Sequence, residues 1–166
     1  MQAIARWVTG FNRVLAAVAG LFTALITLII CIDVAARGLF NQSVQGASEV
    51  AILLLVALIF LGLAGAEAKG ENFAVTLLVR KLNPGWRRLF LIVTILLSLA
   101  TIGVLSWFSW TRAIDSFESG EQSYGVIAFP VWPSKLLIAF GLTMLLLQLA
   151  VGLVKAISSA ESEDAP

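Results

Sequence analysis

The sequence predicts an all-α membrane protein with four transmembrane helices and interfacial helical segments, and three observations predict it. Of the 166 residues, 60% are hydrophobic and only 13% charged, against about 45–50% and about 25% in soluble domains. The charged residues bracket four uninterrupted neutral runs, and all five Trp residues fall at the ends of those runs. A soluble domain of this size needs polar groups to cover its surface. Here they are too few, which rules out a water-soluble monomer. A net charge of +1 leaves no basic footprint for nucleic acid. The absence of His excludes His-based acid–base catalysis, Ser-His triads and His-ligated metals. The single Cys31 cannot form an internal disulfide and reads as a small buried hydrophobe within an apolar run.

The first neutral run, 14–32, holds 19 residues between Arg13 and Asp33. Arg6 and Arg13 precede it as they would a secretion signal, but a signal's apolar core is only about 7–15 residues. The span therefore reads as retained. The second run, 50–66, lies between Glu49 and Glu67; the third, 89–111, between Arg88 and Arg112; the fourth, 136–154, between Lys135 and Lys155. At 1.5 Å per residue these runs reach roughly 25–35 Å, the depth of a hydrocarbon core of about 30 Å. An ionised group at a helix centre costs about 2.5–3.5 kcal/mol on insertion scales, and no run contains one. Trp7, Trp86, Trp107, Trp110 and Trp132 sit where an indole, apolar with one N–H, settles at headgroup level. Residues 1–157 thus read as one integral membrane domain, and 158–166 as an acidic, disordered tail.

Lys and Arg counts set the orientation. The N-terminus, second connection and C-terminus carry eight of them, the first and third connections three. Both termini are therefore expected in the cytoplasm, with connections 33–49 and 112–135 outside.

The connecting segments are not plain loops. Residues 72–82 are too apolar for a solvated loop and too short to span. Asn72 suits an N-cap, Phe73, Leu77 and Leu78 can share a helical face, and Arg80 and Lys81 can reach anionic headgroups. A helix in the interface plane fits these residues, as does one packed under a partner subunit. Asp33 and Arg37, four apart, read as a helix end with a weak ion pair. Glu49 suits the positive N-terminus of the second span. Pro130 to Pro133 gives a rigid lead-in to the fourth. Within the spans, Ala16, Gly20 and Ala24, then Gly62 and Ala66, form rows of small residues that let helix backbones approach closely. Thr94, Ser98 and Gln148 read as bonding a neighbouring helix. Broken helices, inverted repeats and intramembrane charge mark a transporter core, and none is visible in the sequence, which suits a packing subunit.

The stretch Asp33-Val34-x-x-Arg37-x-x-Phe40-Asn41, then Ser48-Glu49 and Phe60-Leu61-Gly62, resembles the small membrane subunit of tripartite ATP-independent periplasmic (TRAP) transporters. The basic-flanked stretch Asn72 to Leu82 is similar too. So is Phe129-Pro130-x-Trp132-Pro133-x-Lys135 ahead of a final span containing Gly141 and Gln148. The likeness covers roughly residues 10–157. The sequence departs at Gln45-Gly46-Ala47-Ser48, where many relatives carry a Trp, and at Glu71-Asn72-Phe73, where a His is common. These departures bear on substrate and partner subtype rather than on the family.

The resemblance implies a bacterial cytoplasmic (inner) membrane protein that is not an enzyme and holds no cofactor. It implies three partners: the lipid bilayer, a periplasmic binding protein that delivers a small organic anion of the carboxylate or sialic acid class, and a large elevator-type subunit that imports it with sodium. Sodium would bind that large subunit, and this chain would brace it. Asp33, Arg37, Phe40, Asn41 and Glu49 would then form an assembly or helix-end motif. Arg37, Asp115, Glu118, Glu121 and Trp132 would contribute a periplasmic docking surface. Two other readings fit a four-span chain: an accessory subunit of another membrane complex, and an autonomous four-helix exporter. The exporter needs a carboxylate within its first span, and 14–32 has none.

Overall fold

Four helices make up the computed structural model, which describes residues 2–69, 84–123 and 128–161. They are α1 (Gln2–Phe40), α2 (Ala47–Lys69), α3 (Pro84–Glu118) and α4 (Trp132–Glu161). All four are long and apolar enough to cross a membrane, as the neutral runs predict. The segment 72–82, with its Asn72 cap, lies outside the described residues. Helix α4 runs on to Glu161, so the first four residues of the expected tail are helical, and 162–166 lie outside the described residues.

Each neutral run sits inside a longer helix. A charge ends an apolar run, but it does not break backbone hydrogen bonding. Helix α1 therefore continues through Asp33 and Arg37, and α3 through Arg112. The 39 residues of α1 and 35 of α3 reach about 58 and 52 Å, beyond a core of about 30 Å. What stops them is backbone conformation. Asn41 (φ 53°) ends α1 and Gly120 (φ 61°) follows α3, both left-handed. Pro84 opens α3 and Pro133 lies in the first turn of α4, where a missing N–H leaves no bond unmade.

The helices pack in the order α1, α2, α4, α3, with α1 also touching α4. About a third of the apolar window of α4 is buried (33%), against 6% in α1 and in α3, so the central pair carries the body and the outer pair flanks it. Glycines make the central contacts close. A Cβ added at Gly141 of α4 would lie 2.5 Å from the Phe60 carbonyl oxygen of α2. One added at Gly65 of α2 would run into Ala16 and lie 2.8 Å from the Asn12 carbonyl oxygen of α1. Lipid offers no hydrophobic drive between helices, so such backbone approach is a principal source of attraction. Ala64, Leu145 and Leu149 form a small core, with Leu99, Ile102 and Met144 packed on it.

Two readings of α1 need correction. In the row Ala16, Gly20 and Ala24, only Ala16 meets α2; Gly20 and Ala24 face outward. The inward stripe is Asn12, Ala16 and Ala19, spaced four and three apart, and Ala19 lies opposite Gly62. Cys31 is exposed, not buried, because a flanking helix has only one covered face.

Candidate functional site

Among the described residues, polar side chains gather at four places: the α1–α2 connection, the α3–α4 connection, a buried pair near the N-terminal half of α1, and a contact between α3 and α4 around Thr143. At the first, Asn41 N donates to Arg37 O (3.1 Å) and Ala47 N to Val44 O (3.2 Å), closing the turn that enters α2. Gly46, at φ 85°, supplies the left-handed step. Asp33 is only 6% exposed. Its Oδ2 accepts from Arg37, and its Oδ1 accepts from Ser43 Oγ (3.0 Å) and from Val44 N (2.8 Å). The expected helix-end ion pair between Asp33 and Arg37 is present, and the structure adds that Asp33 is buried and has two further partners. Asp33 is a clasp that reaches forward from the helix and ties down the following turn. Phe40 and Asn41 are exposed, and Glu49 occupies the first turn of α2 without joining the clasp.

At the second connection the carboxylate sits on the turn and reaches the helices. Glu121 Oε2 accepts from Ser116 Oγ (2.8 Å) at the end of α3 and from Lys135 of α4. Lys135, more than Ser116, holds the Glu121 carboxyl below its ordinary value. A short antiparallel bridge backs this contact, with Ser123 N donating to Phe129 O (2.8 Å) and Val131 N to Glu121 O (3.1 Å). Phe117 and Trp132 pack edge to face at 5.3 Å. Of the expected docking residues, Glu121 and Trp132 are thus brought to one turn. Asp115 and Glu118 are exposed on the last turns of α3, and Arg37 belongs to the other hairpin.

The third place lies among the helices. Asn12 is fully buried and its Nδ2 donates to Gln148 Oε1 (3.0 Å), joining α1 to α4. Gln148 Nε2 reaches Thr9 Oγ1 at 3.5 Å. The expectation for Gln148, a bond to a neighbouring helix, matches this geometry. Thr94 differs: its hydroxyl donates to Phe90 O of its own helix, which satisfies it without a partner. The α3–α4 contact uses Thr143 instead, whose hydroxyl accepts from Trp110 Nε1 (3.0 Å) and lies 3.2 Å from Ser106 Oγ. Ala66 is half-buried on α2. Asn12, Ser43, Ser116 and Thr143 were not singled out from sequence. Asn12 precedes Arg13 and so fell outside the neutral run, and short polar side chains carry no spacing signal.

Among the described residues no three His, Cys, Asp or Glu converge on a metal-binding geometry. The polar groups hold helices and turns to one another, and the four apolar helices define a polytopic integral membrane protein. The family model "Tripartite ATP-independent periplasmic transporters, DctQ component" matches residues 26–159. The chain belongs to this family: it is the small subunit of a TRAP transporter, an inner-membrane component and not an enzyme. Members of the family function with a large membrane subunit and a periplasmic binding protein. No curated protein matches the chain.

Proposed function

We propose that this chain braces the large subunit of a sodium-coupled TRAP importer for a small organic anion of the carboxylate or sialic acid class. The periplasmic binding protein delivers the anion, the large subunit moves it with sodium, and this chain binds neither. The single observation that carries the reading is the open row of helices. Helices α1 and α3 flank it with little of their apolar length covered: Leu21, Leu28 and Ile32 on one and Leu97, Val104 and Phe108 on the other are more than half exposed. A subunit that moves in the bilayer needs a fixed partner to move against, and a broad row resists tilting better than a compact bundle. Both termini face the cytoplasm in this reading, and the two clasped turns face the binding protein.

Affinity purification of the chain from membranes in mild detergent tests the assignment. Recovery with a much larger polytopic subunit, and uptake that needs both, is expected. Recovery as a transport-competent homo-oligomer would overturn it. A Ser123→Cys variant should label from outside intact cells; labelling only after permeabilisation would reverse the orientation.

A further inference from the structure

Helix α1 carries a charged face that its own fold does not use. Arg6 and Arg13 are seven residues apart, about 20° short of two turns and about 10 Å along the axis, so they share that face. Both are exposed, and among the described residues neither meets a carboxylate. Gly10 lies between them with nothing within 4 Å of where a Cβ would stand, leaving an open notch. Beside the notch Trp7 and Phe11 stack, centroids 6.5 Å apart and planes within 8°. Past Arg13 the same face continues through Ala17, Gly20 and Ala24, all exposed.

We propose that this face binds one anionic phospholipid, its phosphate held between Arg6 and Arg13 over Gly10 and an acyl chain laid along Ala17, Gly20 and Ala24. Arginine suits the task because its planar fork donates two parallel hydrogen bonds to a phosphate. Arg13 directly precedes the neutral run, which places it at headgroup depth, where a lipid phosphate also lies. The Trp7 indole, one turn before Gly10, anchors in the same interfacial layer. A helix from another subunit would need its own carboxylates to answer two guanidiniums at the end of an apolar face. A lipid brings charge and chain at the matching depths.

Native mass spectrometry of the detergent-purified full chain, titrated with phosphatidylglycerol or phosphatidylcholine, tests the site. The wild type should retain phosphatidylglycerol about fivefold better or more, and the R6Q/R13Q double variant should lose that preference. Gly10→Leu should lose it too with both arginines intact, and helicity by circular dichroism should be unchanged because Gly10 faces open space. Equal retention by the double variant, or an unaffected G10L, would overturn the proposal. Displacement by equimolar inorganic phosphate would show an anion site without lipid specificity. Crosslinking of a Gly20→Cys variant to a polypeptide in membranes would assign the face to a protein helix instead.

Discussion

The two hairpins close their turns with the same chemistry arranged in opposite senses. In the α1–α2 hairpin the carboxylate belongs to the helix: Asp33 reaches forward over ten residues to Ser43 and Val44 and is nearly inaccessible. In the α3–α4 hairpin the carboxylate belongs to the turn: exposed Glu121 reaches back to Ser116 and across to Lys135. The first turn draws its side-chain support from Asp33, beside the backbone bonds of Asn41 and Ala47. The second is also held by a backbone bridge and an aromatic pair. The lesson concerns redundancy: similar polar contacts differ in consequence according to what else fixes the same segment.

The largest effect should come from separating the hairpins. Gly141→Leu puts a side chain where a Cβ alone would meet the Phe60 carbonyl at 2.5 Å. Overpacking costs about 1–3 kcal/mol, and a rigid backbone neighbour pushes this to the upper end. Thermal unfolding in detergent should shift down markedly. Hydrogen exchange should show protection lost along α2 and α4 yet kept at Val44 and Ser123, if each turn is closed within its own hairpin. Loss of protection at both turns would show that they depend on the central contact.

Asp33→Ala should come next. It removes the acceptor of both Ser43 and Val44, and among the described residues the Asn41 amide makes the other hydrogen bond that ties this turn to α1. Exchange at the Val44 amide should accelerate about tenfold or more, while Ser123 stays as it was. Asp33→Asn keeps an acceptor and should fall between. An unchanged Val44 would mean the turn is set by Asn41 and Gly46 alone.

Among the helices, neutral amides carry the polar contact between α1 and α4. Gln148→Leu leaves the buried Asn12 amide without its acceptor and should cost about 1–2 kcal/mol. The Asn12→Leu/Gln148→Leu pair should recover part of this, because replacing both partners leaves no orphaned donor. Unfolding in a detergent titration measures both. If the double variant is worse than the single, the amide pair is setting helix register rather than only satisfying itself.

Much of the architecture was legible in the sequence, and the reason is local. Four neutral runs and five Trp residues report membrane crossing residue by residue, without knowledge of neighbours. The role of Asp33 was not, because its partners Ser43 and Val44 lie across a turn whose path depends on a left-handed Asn41 and on Gly46. The small-residue rows were half legible. Spacing identifies a smooth face, but only the fold decides that α1 turns Ala16 and Ala19 inward and leaves Gly20 and Ala24 out. The end of α3 was not legible, because Arg112 marks only a polarity boundary, whereas the backbone stops at Ser119 and Gly120.

The smallest effect belongs to Glu121, and pH reads it. The folded carboxyl is held below the ordinary 4.5 by the Lys135 contact first and the Ser116 hydroxyl second. A depressed value means the contact contributes fully above 4.5 and is lost as pH falls through the lower, folded value. From pH 7 to 5 the turn should therefore stay unchanged. Below that range, Val131 and Ser123 amide exchange, corrected for intrinsic pH dependence, should quicken by no more than about threefold, since an exposed ion pair is worth little and the bridge remains. Glu121→Gln at neutral pH should match the acidified wild type. Should it instead loosen the turn as much as Asp33→Ala loosens its own, the bridge and the Phe117–Trp132 pair are not independent supports, and the two hairpin ends are held alike.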